Sequence, residues 1–206
     1  MYTGITQGTF EVICVERLPD LLRYQVKLPD SLVEGLTLGA SVSIEGVCQT
    51  VVAIGERGEV SFEAIQETLD LTTLNELEPG QQVAVERSAR VGDEVGGHDV
   101  AGHVAGTGEV LKVVQEGHVC DLFIGVPSDW LRYILPKGFV AVDGSSLTVG
   151  KVDSGSGFWL HLIPETLRLT NLGKKTQGSR VNIEFDARTV AIVDTVERVL
   201  AERSGN

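Results

Sequence analysis

The sequence predicts an all-β protein of two tandem, similar six-stranded Greek-key-like closed barrels, followed by a C-terminal amphipathic helix. Three observations carry that prediction. The first is an internal repeat at a constant offset of 98 residues. The second is a series of short apolar runs with period two inside each half, separated by Gly, Pro or Asp. The third is a change of period near residue 189, where apolar positions begin to recur every three or four residues.

The repeat holds along the chain without a gap. Gly4, Gly8, Thr9, Glu11 and Val12 align with Gly102, Gly106, Thr107, Glu109 and Val110. The stretch EGVCQTV at 45–51 aligns with DGSSLTV at 143–149, and Glu67-Thr68-Leu69 aligns with Glu165-Thr166-Leu167. Gly80, Val83, Glu86, Ala89 and Arg90 meet Gly178, Val181, Glu184, Ala187 and Arg188. Blocks spread over a whole half in one register are the mark of duplication.

Within the first half, the strand-like runs are 9–15, 24–28, 41–44, 50–54, 60–64 and 82–85. Closure into a small barrel suits so many short strands, because it removes exposed edges. The runs 32–38 and 130–135 predict short helices over the barrel ends. The turn-rich GDEVGG places the boundary near 91–100, giving barrels over 1–95 and 96–188 and a helix and tail over 189–206. Val193, Val196 and Leu200, with Ile192 and Val199 beside them, form the apolar stripe of that helix, and Asp186 is placed to cap its start. The helix either packs on its own barrels or packs against copies of itself.

Composition excludes several classes. At 206 residues, with 42% hydrophobic and 22% charged residues, the chain has the make-up of a folded domain pair, so disorder is excluded. No apolar run approaches the roughly 20 residues that span a bilayer, so no membrane partner is expected. MYTGITQGTFEV has neither a basic n-region nor an apolar h-region, so no secretory signal is expected. The net charge of -12 opposes a phosphate backbone, so nucleic acid is not an expected partner. Cys14, Cys48 and Cys120 are odd in number and form no CxxC, which fits a reducing cytoplasm and neither a disulfide framework nor a zinc site. The histidines, His98, His103, His118 and His161, form no HExxH, so no metal is expected. No GxxxxGK[ST] is present to cradle phosphate.

In each half, a Gly-x-x-x-Gly-Thr segment, a Gly-x-(Cys/Ser)-x-Thr-Val segment and a Glu-Thr-Leu segment combine open backbone with short hydroxyl or thiol groups. Such groups suit hydrogen bonds to a flat heterocycle and a sugar-like chain. Two equivalent modules imply two similar ligands. His98 and His103, five apart in GGHDVAGH, are each open to site work or to a structural hydrogen bond.

MYTGITQGT, EGVCQTV, GGHDVAGHVAGTGEV, KGFVAVDGSSLTV, HLIPETLRLTNLG and VNIEFDARTVAIVDTVERVL together resemble the riboflavin synthase family of the alpha-chain, duplicated-barrel type, over nearly the whole chain. The resemblance implies a homotrimer of two-barrel chains held partly by C-terminal helices. It implies conversion of two molecules of 6,7-dimethyl-8-ribityllumazine into riboflavin and 5-amino-6-ribitylaminouracil, with no metal or redox cofactor. The site would lie between the N-terminal barrel of one chain and the C-terminal barrel of a neighbour. Association with lumazine synthase is a further partnership within its scope. One lumazine would lose a proton from its C7 methyl group, and the other would become electrophilic at C7 on addition of a nucleophile.

By the same resemblance, the N-barrel floor is Gly4, Ile5 and Thr6, with Cys48, Gln49, Thr50 and the run Glu63, Ala64, Ile65, Gln66, Glu67 and Thr68. The C-barrel counterpart is Gly102, His103, Val104, Lys137, Ser146, Leu147 and Thr148, with Ile163, Pro164, Glu165, Thr166, Leu167 and Arg168. The catalytic group is Ser41, Cys48, His103, Ser146, Thr148 and Asp186, with the aromatic Tyr2. Ser146 and His103 are assigned to methyl deprotonation and proton relay. Cys48, Ser41 or a water would polarise or attack the electrophilic lumazine. Competing readings stand beside two of these: Cys48 as a buried apolar thiol, and Asp186 as a helix cap only. Cys14 and Cys120 read as core. Three positions depart from the family pattern: Tyr2 stands for Phe, Thr6 for an aliphatic residue and Gln49 for Leu or similar. The rival reading is a related two-barrel protein that binds a lumazine or flavin as a fluorescent antenna without chemistry.

Overall fold

The protein is described as a computed structural model over residues 1–204. The first half folds as β1 (Gly8–Leu18), β2 (Leu21–Lys27), a one-turn helix α1 (Asp30–Val33), β3 (Ser41–Ile44), β4 (Val47–Ile54), β5 (Glu59–Ile65), α2 (Gln66–Leu71) and β6 (Gln82–Arg87). The second half repeats the order as β7 (Gly106–Glu116), β8 (Val119–Gly125), β9 (Phe139–Val142), β10 (Ser145–Asp153), β11 (Gly157–Leu162), α3 (Pro164–Leu169) and β12 (Arg180–Phe185). A long helix, α4 (Ala187–Ser204), ends the described chain. Each half is a closed antiparallel barrel, in the orders β1-β2-β5-β4-β3-β6 and β7-β8-β11-β10-β9-β12.

The repeat extends to irregularities. Both barrels carry a β-bulge on their first strand, between Val12 and Cys14 and between Val110 and Lys112. The first bulge corrects the expectation for Cys14. Strict alternation from the buried Val12 would put Cys14 in the core, but the extra residue reverses the phase, and Cys14 is exposed. Cys120, on β8, which pairs with β11 in an unbroken register, is buried. The two expected end helices both start earlier than predicted, and the first is also shorter. One is α1, and the other is a 3-10 turn, Ser128–Tyr133. Each follows a proline, Pro29 or Pro127, whose fixed φ suits helix entry.

Each barrel has its own core. Tyr24 and Phe62 meet at 5.5 Å in the first, among Val42, Ile44 and Val85. Leu122, Ile124, Phe158, Leu160 and Ile183 fill the second. The barrels join through buried polar contacts near the turns before β4 and β10. Asn182 donates to the Glu45 carbonyl at 2.8 Å and to Thr73 Oγ1 at 2.9 Å, while Asn171 donates to Glu45 Oε1 at 2.7 Å. Lys175 Nζ lies 2.9 Å from Asp143 Oδ2 and 4.0 Å from Glu45 Oε2. Two buried carboxylates thus share one ammonium. Burial and the charge of Asp143 push the Glu45 carboxyl up to about 7.

α4 confirms the period change. Asp186 caps it, its Oδ2 accepting from Thr189 N at 3.1 Å and Thr189 Oγ1 at 2.8 Å. Tyr133 and Arg132 hold one edge through Asp194 and Glu197. Ile192, Val196 and Leu200 remain 65%, 51% and 57% exposed. Positions 205 and 206 of the expected tail lie outside the described residues.

Candidate active site

Each Gly-x-(Cys/Ser)-x-Thr-Val block leaves a tight turn and runs along a barrel strand. In β4, Cys48 and Thr50 share one face by the two-residue period, with Ser43 and Ser41 directly across on β3. In β10, Ser146 and Thr148 take the same places, opposite Ala141 and Phe139. Thr50 and Thr148 are exposed, while Ser41, Cys48 and Ser146 are half-buried. Gln49 has the opposite phase and turns into the barrel. Tyr24 donates to its Oε1 at 3.1 Å, and its Nε2 donates to the Cys48 carbonyl at 3.0 Å. The departure at Gln49 is therefore absorbed by the buried phenol of Tyr24.

The leading segments of the two halves pack crosswise. Ser146 N donates to the Gly4 carbonyl at 2.8 Å, and Cys48 N donates to the Gly102 carbonyl at 2.9 Å. Both glycines are left-handed, at φ +73 and +79. A Cβ on Gly4 would lie 2.5 Å from Ser146 Cβ, and one on Gly102 would lie 2.7 Å from Cys48 Cβ, so a side chain is excluded at both. Glu86 and Glu184 clamp these segments: Glu86 accepts from Thr3 N and Oγ1, and Glu184 from Ala101 N and Gly102 N. The expectation groups Gly4, Ile5 and Thr6 with Cys48, and Gly102, His103 and Val104 with Ser146. The backbone exchanges them, because each segment precedes its own barrel and lies along a strand of the other. Thr6 joins this crossing through a buried contact of its hydroxyl with Ser145 Oγ at 2.8 Å.

The equivalent residues Cys48 and Ser146 have different partners. Ser146 Oγ is 2.6 Å from His98 Nδ1. The His98 ring is buried and stacks on Phe139 at 5.2 Å. Its desolvation holds the imidazole below its ordinary pKa, against the pull of Asp186 and Asp99. His103, assigned above to the relay with Ser146, is exposed and follows Gly102 on the Cys48 side of the crossing. The sequence offered one signal for His98, its place in GGHDVAGH, but no way to choose between the two histidines. Cys48 Sγ accepts from the Tyr2 hydroxyl at 3.2 Å. Asp186 serves the helix cap and also lies within electrostatic reach of His98, and hydrogen bonds from Thr189 and Arg188 outweigh burial to keep its carboxyl below the usual range.

The run from Glu63 to Thr68 passes from β5 into α2, a helix the period-two reading does not contain. Ala64 is buried, Ile65 exposed, and Gln66 donates to Asp70 at 2.6 Å. Glu63 is paired across the sheet with Arg23 at 2.7 Å. In the second half Ile163 precedes α3, where exposed Glu165 and Arg168 pair at 2.6 Å and Thr166 and Leu167 are half-buried. Leu147 is half-buried, Lys137 is exposed, and Lys137 N donates to the Val149 carbonyl at 2.9 Å beside β10. A groove of about 1000 Å³ lined by Thr3, Ile5, Glu86, Arg87 and Arg90 includes none of Ser41, Cys48, Ser146 or Thr148.

A family model described as the lumazine binding domain matches residues 3–88 and again residues 101–186. The riboflavin synthase of Escherichia coli (strain K12) is 48% identical over 204 residues, covering 98% of this chain and 95% of that protein. The riboflavin synthase of Chlamydia pneumoniae is 41% identical over 201 residues, covering 98% of each. The chain belongs to the riboflavin synthase family. Among solved structures, LumP complexed with riboflavin matches with a TM-score of 0.83 at 26% identity, covering 90% of this chain and 100% of that one. LumP complexed with 6,7-dimethyl-8-(1'-D-ribityl) lumazine matches with a TM-score of 0.81 at 25% identity, covering 90% and 99%. For a riboflavin synthase family member, the twice-matched domain accounts for two equivalent faces, and the different partners of Cys48 and Ser146 set those faces apart chemically.

Proposed function

We propose that the chain catalyses the dismutation of two 6,7-dimethyl-8-ribityllumazine molecules into riboflavin and 5-amino-6-ribitylaminouracil, by transfer of a four-carbon unit. The observation that carries the mechanism is the pair Ser146 and His98 on one repeat, against Cys48 on the other. With its pKa depressed by burial, His98 is neutral at physiological pH, and Nδ1 accepts the Ser146 hydroxyl proton as that oxygen takes one from the C7 methyl group. The lumazine on the first repeat meets Cys48, Ser41 and Thr50 and is made electrophilic there. Exposed Thr148, Ile163 and Lys137 bound the second ring, with Tyr2 and His103 on the Cys48 side. Holding two rings in register supplies about 7–11 kcal/mol of the barrier reduction.

The two rings meet between chains of a homotrimer. Tyr2, Val100 and Ala141 fill the space beside Cys48. The apolar stripe of α4 has no cover in one chain and suits self-association. The enzyme works in the cytoplasm, as its unpaired thiols suit.

Purified protein mixed with the lumazine tests the reading. Riboflavin and the uracil should appear in equal amounts, with two lumazines consumed per riboflavin. Tight binding with bright fluorescence and no product would make the chain a lumazine-binding antenna and end the proposal.

A further inference from the structure

We propose that Phe139 is a positioning residue for His98: its ring, laid on the imidazole, holds Nδ1 at the Ser146 hydroxyl. The inference rests on the proposed relay through Ser146 and His98 and adds to it a residue from the neighbouring strand.

His98 lies outside every helix and strand, in the segment that links the barrels. Gly97 lets that segment lie on Ser146, since a Cβ there would stand 2.6 Å from Ser146 Cβ. This brings the backbone to the site but leaves the direction of the imidazole open. A histidine relay is commonly aimed by a hydrogen bond from its other ring nitrogen. Here that nitrogen, Nε2, is buried and makes no hydrogen bond to any described residue. The nearby carboxylates are engaged elsewhere. Asp99 pairs with Arg188 at 2.7 Å, and Asp186 accepts from Thr189 N and Oγ1.

What remains to aim the ring is the stack. The Phe139 and His98 rings lie 5.2 Å apart, centroid to centroid, with 17° between their planes. Such a near-parallel contact resists rotation of the imidazole. Phe139 opens β9 directly across from Thr148, so the ladder that carries Ser146 also fixes its place. It is 46% exposed, while His98 is only 8% exposed. The phenyl ring thus covers an imidazole rather than filling the barrel. In the first half the equivalent position is Ser41, and there Cys48 meets a phenol instead of an imidazole. The aromatic stands only on the face that has a histidine to aim. Asp186 and Asp99 favour the charged form of His98 and Arg188 opposes it, but desolvation is the largest influence and lowers its pKa. Removing the phenyl ring lets water reach the imidazole, so its titration should move up towards the ordinary histidine value.

Selective 15N labelling of histidine in the full chain, with His98→Gln to assign the signal, reads the tautomer directly. The parent should show one neutral form, with the proton on Nε2 and Nδ1 as an acceptor. Phe139→Leu should give a mixture of tautomers and a raised titration. Phe139→Tyr, which keeps the ring, should match the parent. Turnover of the lumazine should follow the same order. In Phe139→Leu, kcat should fall about 10–10²-fold with KM unchanged, and the acid limb of its pH profile should move up. A mixture of tautomers in the parent would overturn the proposal without any variant, which covers a Phe139→Leu chain that fails to fold. A folded Phe139→Leu with the parent's tautomer would overturn it too. So would one whose only change is a raised KM, which would make the ring a substrate contact. If the parent turns over no lumazine, a tautomer lost in Phe139→Leu and kept in Phe139→Tyr retains the role of Phe139 in aiming His98 and removes the enzyme reading.

Discussion

Ser146 and Cys48 stand at the same place in two copies of one motif, yet the chain has surrounded them with different chemistry. Ser146 touches an imidazole whose burial disfavours its charged form, and a neutral imidazole serves as a base without first shedding a proton. His98→Ala should lower kcat by about 10²–10⁴-fold, the range for a lost proton relay, while His103→Ala should cost much less. Because the His98 pKa lies below its ordinary value, turnover in the wild type should hold as pH falls to 6.5 and decline only below it. Steady-state rates of the two variants, and a pH profile of the parent, check both statements. A larger loss in His103→Ala than in His98→Ala would return the relay to His103. The motif pointed to Ser146 from the residues alone, since a repeated hydroxyl or thiol at one register position is visible in any alignment of the halves. Its partner was not legible. The choice between His98 and His103 depends on how the segment crosses from one barrel to the other, and nothing in GGHDVAGH states that crossing.

At the scale of elements, period decides what could be read. β3 and the C-terminal helix follow from alternation and from three-and-four spacing, because each buries or presents one continuous face. α2 and α3 were hidden, since six residues make too few turns for a helical period to emerge from a β background. Cys14 was misplaced by a bulge, a single inserted residue that no alternation pattern reports. The seam of α4 makes a prediction of its own. Val196 is 51% exposed and touches no core, so Val196→Glu should leave each chain folded. It should place charges against one another in the assembled state, and sedimentation should show single chains with unchanged far-UV circular dichroism. An assembly unchanged by Val196→Glu would remove α4 from the interface.

For the whole molecule, the proposed reading makes duplication and self-association parts of one design. Each barrel presents one face built from a Thr-Val block, and the crossing of Tyr2 and Val100 rigidly joins the two faces while filling the space beside Cys48. On the proposed reading, the two lumazines of a productive stack are held by two different chains. The repeat and the barrel count were plain in the sequence because they are one-dimensional properties of it. The exchange of leading segments, which decides how the faces are set, is a long-range contact and was not. Mixed assemblies test the claim most directly. Thr50→Trp and Thr148→Trp fill the exposed equivalent positions on the two faces, and each variant alone should be inactive. Dissociated and reassembled together in equal amounts, they should recover roughly one site in four, since an unblocked first face then meets an unblocked second face on a neighbour. A mixture that stays inactive, though its mixed composition is shown by mass spectrometry, would contradict a site shared between chains.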